Sequence, residues 1–298
     1  MIVEFSTDLD TQKIFAADIE VDMLFGEQFQ NSSEILIATF SNPKLVVDSN
    51  RIAKLPFAQR ESLLTLLTSP SRIARFSKTE HFVNKAKYPL VWAPSIDTFI
   101  MCSALHKLDL SSVKKATEIG CGSGLAGKYL LEKLDSKASI DLVDIDHRSI
   151  RCAQEAIKSN RVAYHVQKAQ DFMKNKQFDL VISNPPYLPS PNGEERPPFG
   201  GTALMKFLIN NAESFLAPKG RLILLRSSID IEAIKTKQLG KNFKTRVIKQ
   251  REVPLKVTSV LNDEQWCEYL SKQKGIQTNT LPGYTFSHEL SVVEISKL

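Results

Sequence analysis

Ala116-Thr117-Glu118-Ile119-Gly120-Cys121-Gly122-Ser123-Gly124-Leu125-Ala126-Gly127 sets a glycine-rich turn between an apolar strand and the start of a helix. Such a turn lets backbone approach a ligand closely, and the helix N-terminus behind it offers free N–H groups. Working outward, short apolar runs at 115–119, 139–143, 162–166, 178–183, 220–226, 244–250 and 289–296 read as strands. Stretches 125–134, 147–158, 202–216, 229–238 and 263–273 read as helices between them. This alternation predicts an α/β fold, doubly wound, with a mostly parallel sheet covered by helices on both faces.

Three chemistries compete for the glycine turn. Gly122-Ser123-Gly124-Leu125-Ala126-Gly127-Lys128 matches the spacing of a nucleotide-phosphate loop, but Tyr129 stands where a Ser or Thr would hold magnesium. A dinucleotide turn would need a glycine at Leu125, and the literal match at Gly122, Gly124 and Gly127 is displaced by two residues. The third reading uses everything present: Glu118-x-Gly120-x-Gly122-x-Gly124 after the first strand, then Asp144-Ile145 closing Ile140-Asp141-Leu142-Val143. Asp146 is expected instead to cap the helix that begins at His147.

The run Phe178-Asp179-Leu180-Val181-Ile182 stops at Ser183-Asn184-Pro185-Pro186-Tyr187, where two prolines can neither donate to a sheet ladder nor continue a helix. A bare strand-ending turn would explain Asn-Pro without any function. Alongside the glycine turn, a chemical role fits better: the Asn184 side-chain oxygen and the Pro185 carbonyl form an acceptor pair for an N–H2 group. Pro186 stiffens the pair, and Tyr187 offers a flat face to a planar target.

These motifs resemble the core of class I S-adenosylmethionine-dependent methyltransferases, which implies a seven-stranded Rossmann-like sheet. The resemblance places Glu118, Gly120, Gly122, Gly124, Asp144 and Ile145 around S-adenosylmethionine. It adds Asp171, in Lys168-Ala169-Gln170-Asp171-Phe172, as an adenine contact, although Asp171 also reads as the cap of a one-turn helix. Asn184, Pro185, Pro186 and Tyr187 resemble the catalytic motif of N-methyltransferases acting on adenine, guanine or glutamine nitrogens. Val91-Trp92-Ala93-Pro94-Ser95-Ile96-Asp97-Thr98-Phe99, Leu188-Pro189 and Gly200-Gly201 are similar to the HemK-like protein-glutamine methyltransferases that act on release factors. That likeness spans roughly 88–226 and implies a protein partner, a translation factor, with nucleic acid as the alternative. A methyltransferase-like binding subunit without activity would lack the glycines, the acid or the Asn, and all are present.

Composition sets the frame. With 42% hydrophobic and 24% charged residues in 298, the chain is an ordinary globular one of the size at which a second small domain appears. Residues 1–85 are expected to form an accessory, substrate-recognition domain and 86–298 the methyltransferase domain. No apolar run reaches membrane-span length and Met1-Ile2-Val3-Glu4 is not the start of a signal peptide, so no membrane partner and a cytoplasmic location are expected. Cys102, Cys121, Cys152 and Cys267 are too scattered for a disulfide framework or zinc site, and no metal is expected. Charge is unevenly spread: 1–30 carries seven acidic side chains and one lysine, whereas 235–251 carries seven basic and no acidic ones. The basic run reads either as a solvated face or as a contact for RNA or an acidic protein. Trp266 and Tyr284 read as stacking residues for a base, or Trp266 as a helix-core aromatic. Ser95 or Asp97 is expected to cap a helix through 99–105.

Overall fold

A computed structural model describes residues 35–40, 71–85, 87–191, 193, 200–230, 242–255, 263–281 and 284–298. Most of the expected helix over 229–238, the acidic stretch 1–30, the basic residues 235–241 and much of the stretch 188–201 lie outside these residues.

A small antiparallel sheet joins β1 (Ile35–Phe40), β2 (Ser71–Phe76) and β3 (Thr79–Val83). The large sheet contains β4 (Lys115–Ile119), β5 (Ser139–Asp144), β6 (Val162–Val166), β7 (Phe178–Ser183), β8 (Leu216–Ser227), β9 (Phe243–Pro254), β10 (Ile276–Thr278) and β11 (Phe286–Lys297). Its order is β6-β5-β4-β7-β8-β11, with β9 on the outer side of β11 and β10 against the first residues of β11. From β6 to β8 all pairings are parallel, and β11 runs antiparallel to β8 and β9. The mostly parallel sheet expected from the apolar runs is therefore present.

Its helices are α1 (Ile96–His106), α2 (Leu125–Lys133), α3 (His147–Ala156), α4 (Ala169–Met173), α5 (Ala203–Asn210), α6 (Ala212–Phe215) and α7 (Glu264–Ser271). The single helix expected over 202–216 is two pieces. Asn211 breaks it at φ −111° and ψ 10°, and its side-chain amide donates to the Phe207 carbonyl at 2.8 Å, competing with the helical ladder.

Alternation along the strands feeds two core layers. Leu180, Ile182, Ile223 and Leu225 pack with Phe99, Leu105, Leu130 and Ile150 of α1 to α3, while Val181, Leu222 and Leu224 pack with Phe172, Met205, Leu208 and Phe215 of α4 to α6. The β2–β3 hairpin closes onto the first layer: Phe76 meets the Tyr129 ring edge-on at 4.9 Å, and Lys128 Nζ donates to the Glu80 carbonyl at 2.5 Å.

Sheet order also places a site. After β4 the chain builds β5 and β6 on one side, then returns to the other side of β4 as β7. Connections leave β4 and β7 in opposite directions, and the carboxyl ends of two such strands leave a crevice into which no helix folds. No helix among the described residues is long and apolar enough to cross a membrane.

Candidate active site

The glycine turn and the Asn-Pro-Pro-Tyr segment leave β4 and β7 at that crevice. The ends of these strands are tied together, with Ser183 Oγ donating to the Ile119 carbonyl at 2.8 Å. On the β4 side, Gly120, Gly122 and Gly124 take φ of 72°, 53° and 91°, a left-handed turn that residues with a Cβ adopt only at a cost. Gly127 is needed for a different reason. A Cβ there would lie 2.5 Å from both Glu118 Oε2 and Leu142 Cδ2, so its absence lets α2 close on β4.

Glu118 is buried in this junction. Burial pushes its carboxyl up to about 8, against the Gly127 N–H that draws it down, and nearby Asp144 pushes it further up. Its Oε2 is sealed from solvent without a hydrogen-bond partner. Asp144 does more than end β5. Its Oδ2 accepts the Gly122 N–H at 2.9 Å and its Oδ1 accepts the Asp146 N–H at 2.9 Å, so one carboxylate ties the glycine turn to the next loop. Burial raises its pKa while these N–H groups oppose the rise. A carboxylate has about four lone-pair sites, so both oxygens can still accept bonds from paired hydroxyls. Asp146 caps α3 as expected, accepting the Arg148 N–H at 2.8 Å.

Ile145 follows Asp144 and is 68% exposed, an apolar side chain left open beside the crevice. Asp171 is exposed in the first turn of α4, and Lys168 rather than Asp171 holds the N-cap position, so the capping alternative does not apply. The loop leading to α4 is joined to this side by the Gln167 N–H, which donates to the Asp144 carbonyl at 3.0 Å. The buried acceptor of Glu118, the left-handed cradle, the Asp144 carboxylate and an open apolar side chain together suit a ligand with a cationic amino-acid end, vicinal hydroxyls and a flat ring. S-Adenosylmethionine has all three.

On the β7 side, Pro185 is buried and Asn184 half-buried. Asn184 Oδ1 is sealed from solvent and accepts no hydrogen bond. An amide oxygen left so costs about 1–3 kcal/mol, which a bound donor relieves. Tyr187 lies between the two core layers; burial, then the nearby Asp97 carboxylate, pushes its phenol well above the ordinary range. Ser95 takes the N-cap of α1, and Asp97 accepts the Thr98 N–H at 2.7 Å. Loop 188–201 is pinched at its base, where the Gly201 N–H donates to the Leu188 carbonyl at 2.8 Å. Trp266 of α7 is buried, and its Nε1 donates to the Pro189 carbonyl at 2.8 Å. A base-stacking role for Trp266 is thereby excluded, because its ring lies in the core with Leu188, Ile229, Leu255 and Leu270.

Reading the chain assigned neither Asp97 nor His288, whose ring lies 5.9 Å from that of Tyr187, to this surround, and it gave Trp266 a stacking role in place of its bond to Pro189. Asp97 carried only a capping signal, and nothing local in the sequence distinguishes His288 among five scattered histidines. Among the described residues no group of three or more His, Cys, Asp or Glu is placed to hold a metal ion.

The family model described as methyltransferase small domain matches residues 97–257, which contain both sides of the crevice. Ribosomal RNA small subunit methyltransferase C of Psychromonas ingrahamii is 24% identical over 237 residues, 77% of this chain and 64% of that protein. The tRNA1(Val) (adenine(37)-N6)-methyltransferase of Pectobacterium carotovorum is 37% identical over 86 residues, 27% of this chain and 35% of that one. Methyltransferase HEMK2 of Mus musculus is 28% identical over 183 residues, 55% of this chain and 82% of that protein. The chain thus spans less than two thirds of the two RNA-directed relatives.

Proposed function

This chain belongs to the methyltransferase small domain family, whose methyl donor is S-adenosylmethionine, and from that premise we propose that it methylates the side-chain nitrogen of a protein glutamine. The observation that carries the reading is Asn184 Oδ1, a sealed amide oxygen without a partner at the end of β7, beside the glycine turn.

S-Adenosylmethionine supplies a methyl group on a positively charged sulfur. Glu118, Gly120, Gly122, Gly124, Asp144, Ile145 and Asp171 are the residues that would hold it. The acceptor side has a harder task, because an amide or ring amine delocalises its lone pair. Asn184 Oδ1 takes one N–H of the target and the Pro185 carbonyl takes the other, which draws electron density onto the nitrogen and fixes its orientation. Pro185 and Pro186 hold that carbonyl in place without a competing N–H, and Tyr187 receives the planar group on its ring.

A glutamine is favoured over a base because Trp266 is engaged in the core and on Pro189, which removes one of the aromatics a base would stack on. In this reading residues 1–85 serve substrate recognition and the partner is a translation factor. The second reading, an adenine or guanine in RNA, draws on Lys244, Lys249 and Arg251 of β9, with Lys107 near Lys249. Incubation with labelled S-adenosylmethionine and cell extract, followed by nuclease or protease, separates the two. Label that resists nuclease and is lost to protease selects the protein reading; the reverse selects nucleic acid.

A further inference from the structure

β11 extends beyond the strand it closes. Leu290 is paired with Ser227, the last residue of β8, so His288 lies past the end of β8 on the side where β4 and β7 deliver their loops. It shares a strand face with Leu290 and Val292, which belong to the core layer beneath α1 and α2. Its ring lies 5.9 Å from the Tyr187 ring, inclined at 38°.

Ser227 and its neighbours hold this imidazole. Ser227 Oγ is 2.8 Å from His288 Nδ1 and accepts the Ile229 N–H at 3.1 Å. The Ser227 N–H donates to Asp230 Oδ2 at 2.9 Å, and Arg226 grips the buried Asp230 at 2.7 Å. Beside the Ile229 N–H the Ser227 hydroxyl keeps one lone pair and its own hydrogen, so it can meet Nδ1 with either ring tautomer, as donor or as acceptor. Burial lowers the His288 pKa to about 4, in keeping with a neutral ring. Tyr187 therefore meets a ring from a remote part of the chain, His288 of β11, while the Asp97 carboxylate of α1 lies near enough to raise its phenol.

We propose that His288 is a positioning residue of the acceptor site, a neutral imidazole fixed by Ser227 that holds the Tyr187 ring where the planar target group must lie. This rests on the methyl-transfer reading above. Packing alone would be served equally by a phenyl ring, whereas positioning through Ser227 needs a nitrogen or amide at the Nδ1 place. The structure thus gives the C-terminal strand a share in acceptor selection that the donor side does not need.

Three variants of the full chain test it, assayed with labelled S-adenosylmethionine and the protein or RNA fraction that the wild-type protein labels. His288→Phe is expected to melt near the wild-type temperature, bind S-adenosylmethionine with unchanged affinity by calorimetry, and transfer about tenfold more slowly at saturating acceptor. Ser227→Ala should show the same split, and His288→Asn should recover most of the rate because its amide can still meet Ser227. Nitrogen-15 resonances of His288 should report a neutral ring whose Nδ1 signal moves in Ser227→Ala. A His288→Phe protein that transfers at the wild-type rate, a His288→Asn protein no faster than His288→Phe, or an Nδ1 resonance that Ser227→Ala leaves unmoved each overturns the proposal. A wild-type chain that binds S-adenosylmethionine but labels neither fraction defeats the methyl-transfer reading instead; His288 is then judged on the nitrogen resonances and on whether Ser227→Ala displaces the Tyr187 ring signals.

Discussion

The two sides of the crevice are built differently. The side proposed to hold the methyl donor is nearly contiguous: from Lys115 to Asp146 one strand, one glycine turn, one helix and the next strand supply Glu118, the left-handed glycines and Asp144. The acceptor side has only Ser183 to Pro189 in sequence and borrows the rest from distant elements, with Asp97 from α1, Ser227 from β8, Trp266 from α7 and His288 from β11. A site that holds one invariant donor can be written into a local motif. One that must match a particular acceptor is better assembled from elements that vary independently of that motif.

The sharpest way to break this comparison is Asn184→Ala. Loss of one orienting acceptor should cost about 10²–10³-fold in transfer, the scale found for a single preorganised hydrogen bond, while S-adenosylmethionine affinity measured by calorimetry stays constant. A parallel fall in cofactor affinity would show that the two sides are not separable. Asp144→Ala is the mirror test and should weaken S-adenosylmethionine about 10–100-fold, because the charged acceptor of the Gly122 N–H is lost with any bond to the ligand. Unchanged affinity in the same titration would remove Asp144 from the donor side.

Smaller effects sharpen the comparison. Gly127→Ala brings a Cβ against Glu118 and Leu142 and should destabilise the fold by about 1–3 kcal/mol in urea titrations. Trp266→Phe keeps the packing but drops the bond to Pro189, and should cost about 1 kcal/mol of stability while slowing transfer more than it weakens cofactor binding. Equal stability and rate would confine α7 to a bystander role.

Glu118 tests the donor side through pH. Its folded pKa of about 8 exceeds its ordinary 4.5, so between these values the folded chain holds a proton that the unfolded chain has released. The contribution of Glu118 to stability is therefore fully present below the lower value and is lost as pH rises toward the upper one. Glu118→Gln should flatten that decline in urea midpoints measured on either side of the window. It should also abolish the proton release that a cationic ligand group facing Glu118 would cause at neutral pH, read from calorimetric heats in buffers of different ionisation enthalpy.

Much of this was legible in the chain because its signals are local. Short apolar runs 115–119 and 139–143 became β4 and β5, Gly120 to Gly124 became a left-handed turn, and Asp146 became the cap of α3. Asn211 shows the limit of periodicity, since the apolar pattern runs through it while its side chain breaks the helix. Trp266 shows the limit of composition: an indole in a polar-looking helix reads as exposed or buried until its neighbours are known.

By itself the sequence determined the strand-helix alternation, the glycine turn, the carboxylate at Asp144 and the rigid Asn184-Pro185-Pro186-Tyr187 corner, because backbone sterics and capping act over a few residues. Only the tertiary structure decided that Asp144 also ties down Gly122, that Asn184 Oδ1 is sealed without a partner, and that the His288 ring lies against Tyr187. Those depend on strand order and register, in which residues more than a hundred positions apart become neighbours through burial and pairing that no local pattern encodes.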